Sequence, residues 1–270
     1  MGVSRHRAVA VFGLSLALLL VAWVVPAKAL VLDWDGVTWT PGSLSNSFNL
    51  NGDAFNDVTV AVTSQNPGVF TNDPTTGTMT PAINQTMTGG LVPAQNSLVI
   101  AANLHTNSNL TVHFSFTGGT AGNLPGANNV SFTIFDIDVT TNSDIISNIY
   151  GVAPDGTHVA ATITNLGSAV TPGGSGLTQT LTGNAASANN SSNGNATISF
   201  GSTLITDLYF TFGNTAGAPR YQDIGIGDLT FTPVPEINPA ISASVSSFIA
   251  VGLTVLMQRR AKKRRSPVRQ

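Results

Sequence analysis

Asp136, Asp138 and Asp144 form the densest group of chemistry-bearing side chains in this chain. In the run Phe135, Asp136, Ile137, Asp138 the two-residue period of a strand puts both carboxylates on one face and Phe135 and Ile137 on the other. Asn142 and Asp144 follow in a short polar loop. Oxygen donors at this density suit a hard cation such as Ca²⁺, which takes about six to eight oxygen ligands, although the spacing is not that of an EF-hand. The alternative is a solvated outer face whose aspartates keep the sheet soluble and protect its edges. Asp223 and Asp228, near the last apolar run, could join such a site, Asp228 equally as a turn residue.

Catalysis has fewer footholds. Glycoside hydrolysis uses two carboxylates across the scissile bond, and between residues 30 and 232 there is no Glu, so only Asp pairs could serve. His105, His113 and His158 are scattered and lack the His-Glu-x-x-His spacing of a zinc site. No Gly-x-Ser-x-Gly elbow stands between a strand and a helix. The chain is therefore expected not to be an enzyme. Trp34, Trp39, Tyr150, Tyr209 and Tyr221 are the side chains able to stack on a sugar, with Trp34 and Trp39 as the candidate ligand pair. Their odd spacing puts them on opposite faces of an unbroken strand, unless Gly36 interrupts it. Arg220 either pairs with Asp223 at the surface or orients an anionic ligand.

The elements that must position these groups are strands. Apolar and polar residues alternate over 58–63, 110–116, 130–138, 145–152, 157–164, 177–181, 196–200, 205–212 and 224–231, with Gly, Asn, Asp and Pro between the runs. Pro154, Asp155 and Gly156 read as a hairpin turn. Strands this short and numerous predict an all-β fold, a single antiparallel β-sandwich or jelly-roll-like domain. Residues 64–91 and 167–195, rich in Asn, Gly, Thr, Pro and Ser, are expected to be long surface loops, with 176–183 as the best weak edge strand. The chain has no cysteine, so its core forms without disulfides. Between residues 30 and 232 one arginine stands against twelve aspartates, a net charge of −11. Such a surface cannot neutralise a row of phosphates, which excludes nucleic acid as a partner.

Both ends read as targeting segments. Arg5 and Arg7 precede an apolar run, Pro26 breaks it, and Ala27 and Ala29 fit a small-x-small cleavage site, making residues 1–29 a signal peptide. Residues 30–232 are the exported domain, and 233–270 a tripartite C-terminal segment: a polar motif (233–239), a transmembrane helix (240–257) and a basic tail (258–270). Positive charge after an apolar span keeps the tail cytoplasmic and leaves the domain outside.

Val234, Pro235 and Glu236, followed by an apolar helix and an Arg-rich end, resemble the PEP-CTERM sorting signal of Gram-negative bacteria. Here Ile237 replaces the second proline of the Pro-Glu-Pro box. The resemblance implies an exosortase-type membrane enzyme as processing partner and a destination at the cell surface or in the extracellular matrix. The body, through Leu32 to Trp39 and Phe132 to Asp138 with the downstream Pro-Asp-Gly turn, is similar to exported β-domains found ahead of such signals. The function expected is that of a non-catalytic surface or matrix protein, structural or adhesive, in contact with extracellular polysaccharide and held by the membrane at least transiently. The alternatives are a carbohydrate-binding module, with or without calcium, which calls for exposed aromatics beside the Asp cluster, and a polysaccharide hydrolase. Intact mass of the native protein, from envelope and culture-medium fractions of its host, is expected to show a species running from Leu30 to about Glu236. A species that still carries Arg265 would instead place the protein in the inner membrane.

Overall fold

Alternating apolar side chains set the architecture. In β3 (Val58–Ser64), Val58, Val60 and Val62 are buried while Thr59, Ala61 and Thr63 face outward. β6 (Leu110–Ser115) does the same with Leu110, Val112 and Phe114, and β14 (Asp207–Asn214) with Leu208, Phe210 and Phe212. Each strand thereby gains an apolar face that only a second layer can cover.

The computed structural model describes residues 28–66, 69–106, 108–116 and 126–234. Most of the signal peptide, with Ala27, lies outside the described residues, as do Pro235, Glu236, the apolar run 240–257 and the basic tail. Among the described residues no helix is long and apolar enough to cross a membrane.

The strands form two antiparallel sheets. In one, β1 (Leu30–Leu32), β16 (Leu229–Pro233) and β7 (Ala127–Phe135) run side by side, and β15 (Arg220–Ile226), β5 (Ser97–Leu104) and β4 (Ala82–Asn84) continue beyond the last residues of β7. The other edge of β7 carries β13 (Ala196–Gly201) and then β10 (Thr162–Thr164). The second sheet has the order β11 (Val170–Gly173), β12 (Thr180–Gly183), β8 (Asp144–Val152), β14, β6, β3, β2 (Ser45–Phe48), with β9 (His158–Ala160) paired to the far half of β8. The inner faces of both sheets share one apolar cluster. Phe114 and Phe210 of the second sheet meet Phe132 of the first at ring centroids of 5.5 and 5.9 Å, the contact expected of a sandwich.

The hairpin read at Pro154, Asp155 and Gly156 joins β8 to β9, with Gly156 at φ +83°. The single run 157–164 is instead two strands, β9 in one sheet and β10 in the other, and the chain crosses between the layers at buried Ala161. The segment 167–195 is not all loop either: β11 and β12 extend the second sheet, and β11, not 176–183, is its edge.

Trp34 and Trp39 belong to this core rather than to a ligand platform. Trp34 is fully buried and Trp39 nearly so. With Phe48 they form a cluster of centroids 6.0–6.4 Å apart. Both indole N–H groups are satisfied internally, Trp34 Nε1 donating to Gly227 O at 3.0 Å and Trp39 Nε1 to Ser43 O at 3.1 Å. A turn after β1, closed by the Gly36 N–H donating to Asp33 O, lets both rings face inward despite their odd spacing. Trp34→Ala is expected to cost about 3–5 kcal/mol, read as a fall in the urea midpoint at unchanged slope.

Candidate functional site

Two sets of side chains stand out, and the aspartates come first. The structure brings Asp136, Asp138 and Asp144 together, but inside the protein. β7 ends at Phe135, and Asp136 takes a left-handed backbone at φ +66°. That turn breaks the expected alternation: Phe135 packs outside the first sheet with Met87 and Val99, while Ile137 enters the main core. Asp136, Asp138 and Asp144 are 7%, 5% and 1% exposed, so they are not a solvated outer face. Asp138 N–H donates to Asp144 Oδ2 at 3.2 Å, and Ser187 N–H donates to Asp138 Oδ2 at 2.8 Å. The Oδ1 atoms of Asp136 and Asp144 are buried without a hydrogen-bond partner.

Asp223 adjoins this cluster and accepts a 2.8 Å hydrogen bond from the Tyr221 hydroxyl, not from Arg220, which stands exposed three residues from it on the strand. Asp228 is a turn residue whose Oδ1 accepts the Trp34 N–H at 3.0 Å. Among the described residues no three His, Asp or Glu side chains are placed to share one metal ion. Burial of this kind favours the protonated form of a carboxyl group. Burial, then the neighbouring Asp138 and Asp223, pushes Asp136 up to about 8. Burial likewise raises Asp144 and brings Asp223 to about 6.

The second set lies on the outer face of the second sheet. His113 on β6, Tyr209 on β14 and Tyr150 on β8 are direct cross-strand partners, and His158 on β9 stands diagonal to Tyr150. Their rings stack in a row, with centroids 4.2 Å apart for His113 and Tyr209, 5.2 Å for Tyr209 and Tyr150, and 4.3 Å for Tyr150 and His158. Carbon atoms in contact already need about 3.5–4.0 Å, so rings this close and nearly parallel overlap face to face and turn their edges outward. One local feature places Tyr150 there. At Asn148 (φ +50°) the register of β8 against β14 shifts, so Ile146 and Ile149 both point inward and Tyr150 points out. At one end of the row His113 Nε2 lies 2.8 Å from Asp207 Oδ1, a hydrogen bond that holds the Asp207 carboxyl below its usual range.

Beside the row runs a groove of about 320 Å³, lined by Tyr150, Tyr209, Thr111, Thr211, Asn148, Asn109 and Gln65. Every lining residue is uncharged. Asn148 Nδ2 donates to Thr211 Oγ1 at 3.2 Å, which fixes one amide in place. Of these residues only Tyr150 and Tyr209 stood out in the sequence. Thr111 and Thr211 are signalled only by outward parity in alternating strands, while Gln65 and Asn109 flank strands and Asn148 sits at the register shift, where parity says nothing.

No family model matches the chain, and no curated protein matches it in sequence. Among solved structures it is similar to a family 11 carbohydrate-binding module from Clostridium thermocellum in complex with a β-1,3-1,4-mixed-linked tetrasaccharide. That similarity has a TM-score of 0.33 and 11% identity over 78% of this chain and 99% of the other. A second similarity is to the family 11 module of the cellulosomal cellulase Lic26A-Cel5E of Clostridium thermocellum, at TM-score 0.29 and 10% identity, covering 79% and 99%. Likenesses this slight carry no inference about a ligand, so the site rests on its own residues.

The carboxylate cluster makes the first prediction here. An acid held at a higher pKa in the folded chain than in the unfolded chain binds its proton more tightly when folded. Its contribution is full below about pH 4 and is lost as pH rises to the folded value. Stability is therefore expected to fall between about pH 4 and pH 8, the window set by Asp223 and Asp136. Asp136→Asn should flatten that fall and raise Tm at pH 9 by at least about 2–4 °C. Millimolar Ca²⁺ is the contrast: a rise in Tm at pH 9 that Asp136→Asn removes would assign the cluster to a cation rather than to protons.

Proposed function

We propose that this protein is an exported, non-catalytic binder of neutral polysaccharide, which it holds along the outer face of β6, β14, β8 and β9. The observation that carries the reading is the groove of uncharged amides and hydroxyls set against a rigid row of rings. Amide and hydroxyl groups each donate and accept, as the hydroxyls of a sugar do, and bridging waters extend their reach. Because the rings spend their faces on one another, the tyrosines offer edges and hydroxyls, and recognition here is by hydrogen bonding more than by stacking. Stacked rings also lose little side-chain freedom when a ligand arrives, which lowers the entropic cost of binding.

Charge narrows the ligand. A net of −11 with one arginine repels uronate-rich and phosphorylated chains and leaves neutral glycans as the favoured class. The sorting signal that resembles PEP-CTERM, with its exosortase-type partner, would deliver this surface to the cell exterior, where holding polysaccharide amounts to a structural or adhesive role.

Affinity electrophoresis against the host's own neutral and acidic polysaccharides tests the reading. The wild-type chain is expected to be retarded by a neutral polymer and not by an acidic one. Tyr209→Ala should weaken that retardation at least about tenfold, a loss of about 1.4 kcal/mol. Tyr221→Ala, on the other sheet, should change nothing. Equal retardation of Tyr209→Ala and wild type, with both folded, would sink the proposal.

A further inference from the structure

A cavity of about 670 Å³ lies on the opposite layer, away from the ring row and its groove. Its floor is the outer face of the first sheet, where Thr133 of β7 and Thr197 of β13 share a 2.9 Å hydrogen bond and Phe135 adds an apolar patch. Three loops wall it, and they are bonded to one another. The N–H groups of Thr88 and Gly89 donate to Asn189 O, that of Gly167 to Asn195 O, and that of Ala169 to Asn193 O, at 2.8–3.2 Å. At Gly167 an added Cβ would lie 2.0 Å from Asn193 O, so these two loops close only over a glycine. The walls are therefore pre-organised rather than shaped on demand.

The lining has the chemistry of a sugar site. Asn165, Asn193 and Asn195 supply three amides. Asn195 donates through Nδ2 to Gly89 O at 2.8 Å, which ties this wall to the loop before Leu91. Leu91 and Leu166 also line the cavity, 45% and 40% exposed, and offer an apolar strip of the kind that the C–H face of a pyranose covers. Asp228 is the only charged lining residue, so an anionic ligand is disfavoured and a neutral one is not.

We propose that this cavity is a second saccharide-binding site, so that one domain holds two neutral glycan chains, one on each outer face of the sandwich. The bridging role rests on the groove beside the ring row being a glycan site; the cavity itself does not. A binder with sites on opposite faces is bivalent and links polymer chains without any contact between its own copies.

Isothermal titration of the full chain with cellohexaose, laminarihexaose and dextran oligosaccharides, together with turbidity against the parent polymers, tests this. The wild type is expected to bind two oligosaccharides per chain and to raise turbidity by cross-linking the polymer. Leu166→Asp, at an exposed rim position, and Asn195→Ala should each leave one site and abolish cross-linking. Tyr209→Ala should leave the other. A single site that only Tyr209→Ala removes would overturn the cavity and keep the groove. A single site that only Leu166→Asp and Asn195→Ala remove would keep the cavity and overturn the groove, and no binding to any of the three probes would overturn both.

Discussion

Side chains in a strand alternate between two faces, so a slip of one residue between β14 and its neighbours would drive Tyr209 inward and Phe210 out. The pairing of β14 with β6 and β8 is thus the constraint on which the rest depends. Phe210 and Phe212 are fully buried against the opposite sheet, and that burial pins the register. Cross-strand pairing then sets Tyr209 directly between His113 and Tyr150. The ring row is a by-product of core packing on the other side of the same strands. The shift at Asn148 completes it, because without the extra residue the inward positions of β8 would not fall on both Ile146 and Ile149.

The second constraint is the near absence of positive charge. Only one basic residue lies between positions 30 and 232, so a buried carboxylate here cannot be balanced by a lysine or arginine. Asp73 is satisfied by Thr75, Thr76, Asn84 and Thr86, and Asp57 by the N–H groups of Leu50 and Asn51 and the amide of Asn51. Asp136 and Asp144 each keep an oxygen with no such partner, which is why burial raises their affinity for a proton. One compositional fact therefore has two expected consequences: an interior stabilised by acid, and a surface that does not attract anions.

Much of the sandwich was legible in the sequence because period-two alternation is a local signal. β3, β6 and β14 follow from it, as does the turn at Gly156. What was not legible is where alternation fails or where distance decides. Asp136 leaves the strand with a left-handed backbone, so the parity that placed it beside Asp138 on a wet face no longer held. β11 is Val, Thr, Pro and Gly, too little for a pattern, and of the candidate edge strand 176–183 only Thr180–Gly183 is strand, as β12. The ring row joins residues from four strands, and nothing short of the strand order says that His113 and Tyr209 are neighbours.

The tryptophans show why side-chain type alone misleads at such a site. A large aromatic gains most when fully buried, and an indole can be buried cheaply if its one N–H finds a carbonyl. Trp34 and Trp39 both find one inside the protein, so nothing draws them to the surface. Tyrosine and histidine differ, since their polar atoms favour a half-wet position while their rings still stack. In a chain whose outward strand positions are filled mainly by Thr, Ser and Asn, those stacked rings are the fixed features left on the outer face of β6, β14, β8 and β9. A flexible polyhydroxyl chain needs such a fixed edge to lie against, because a surface of mobile hydroxyls would lose on ordering much of what it gained in hydrogen bonds.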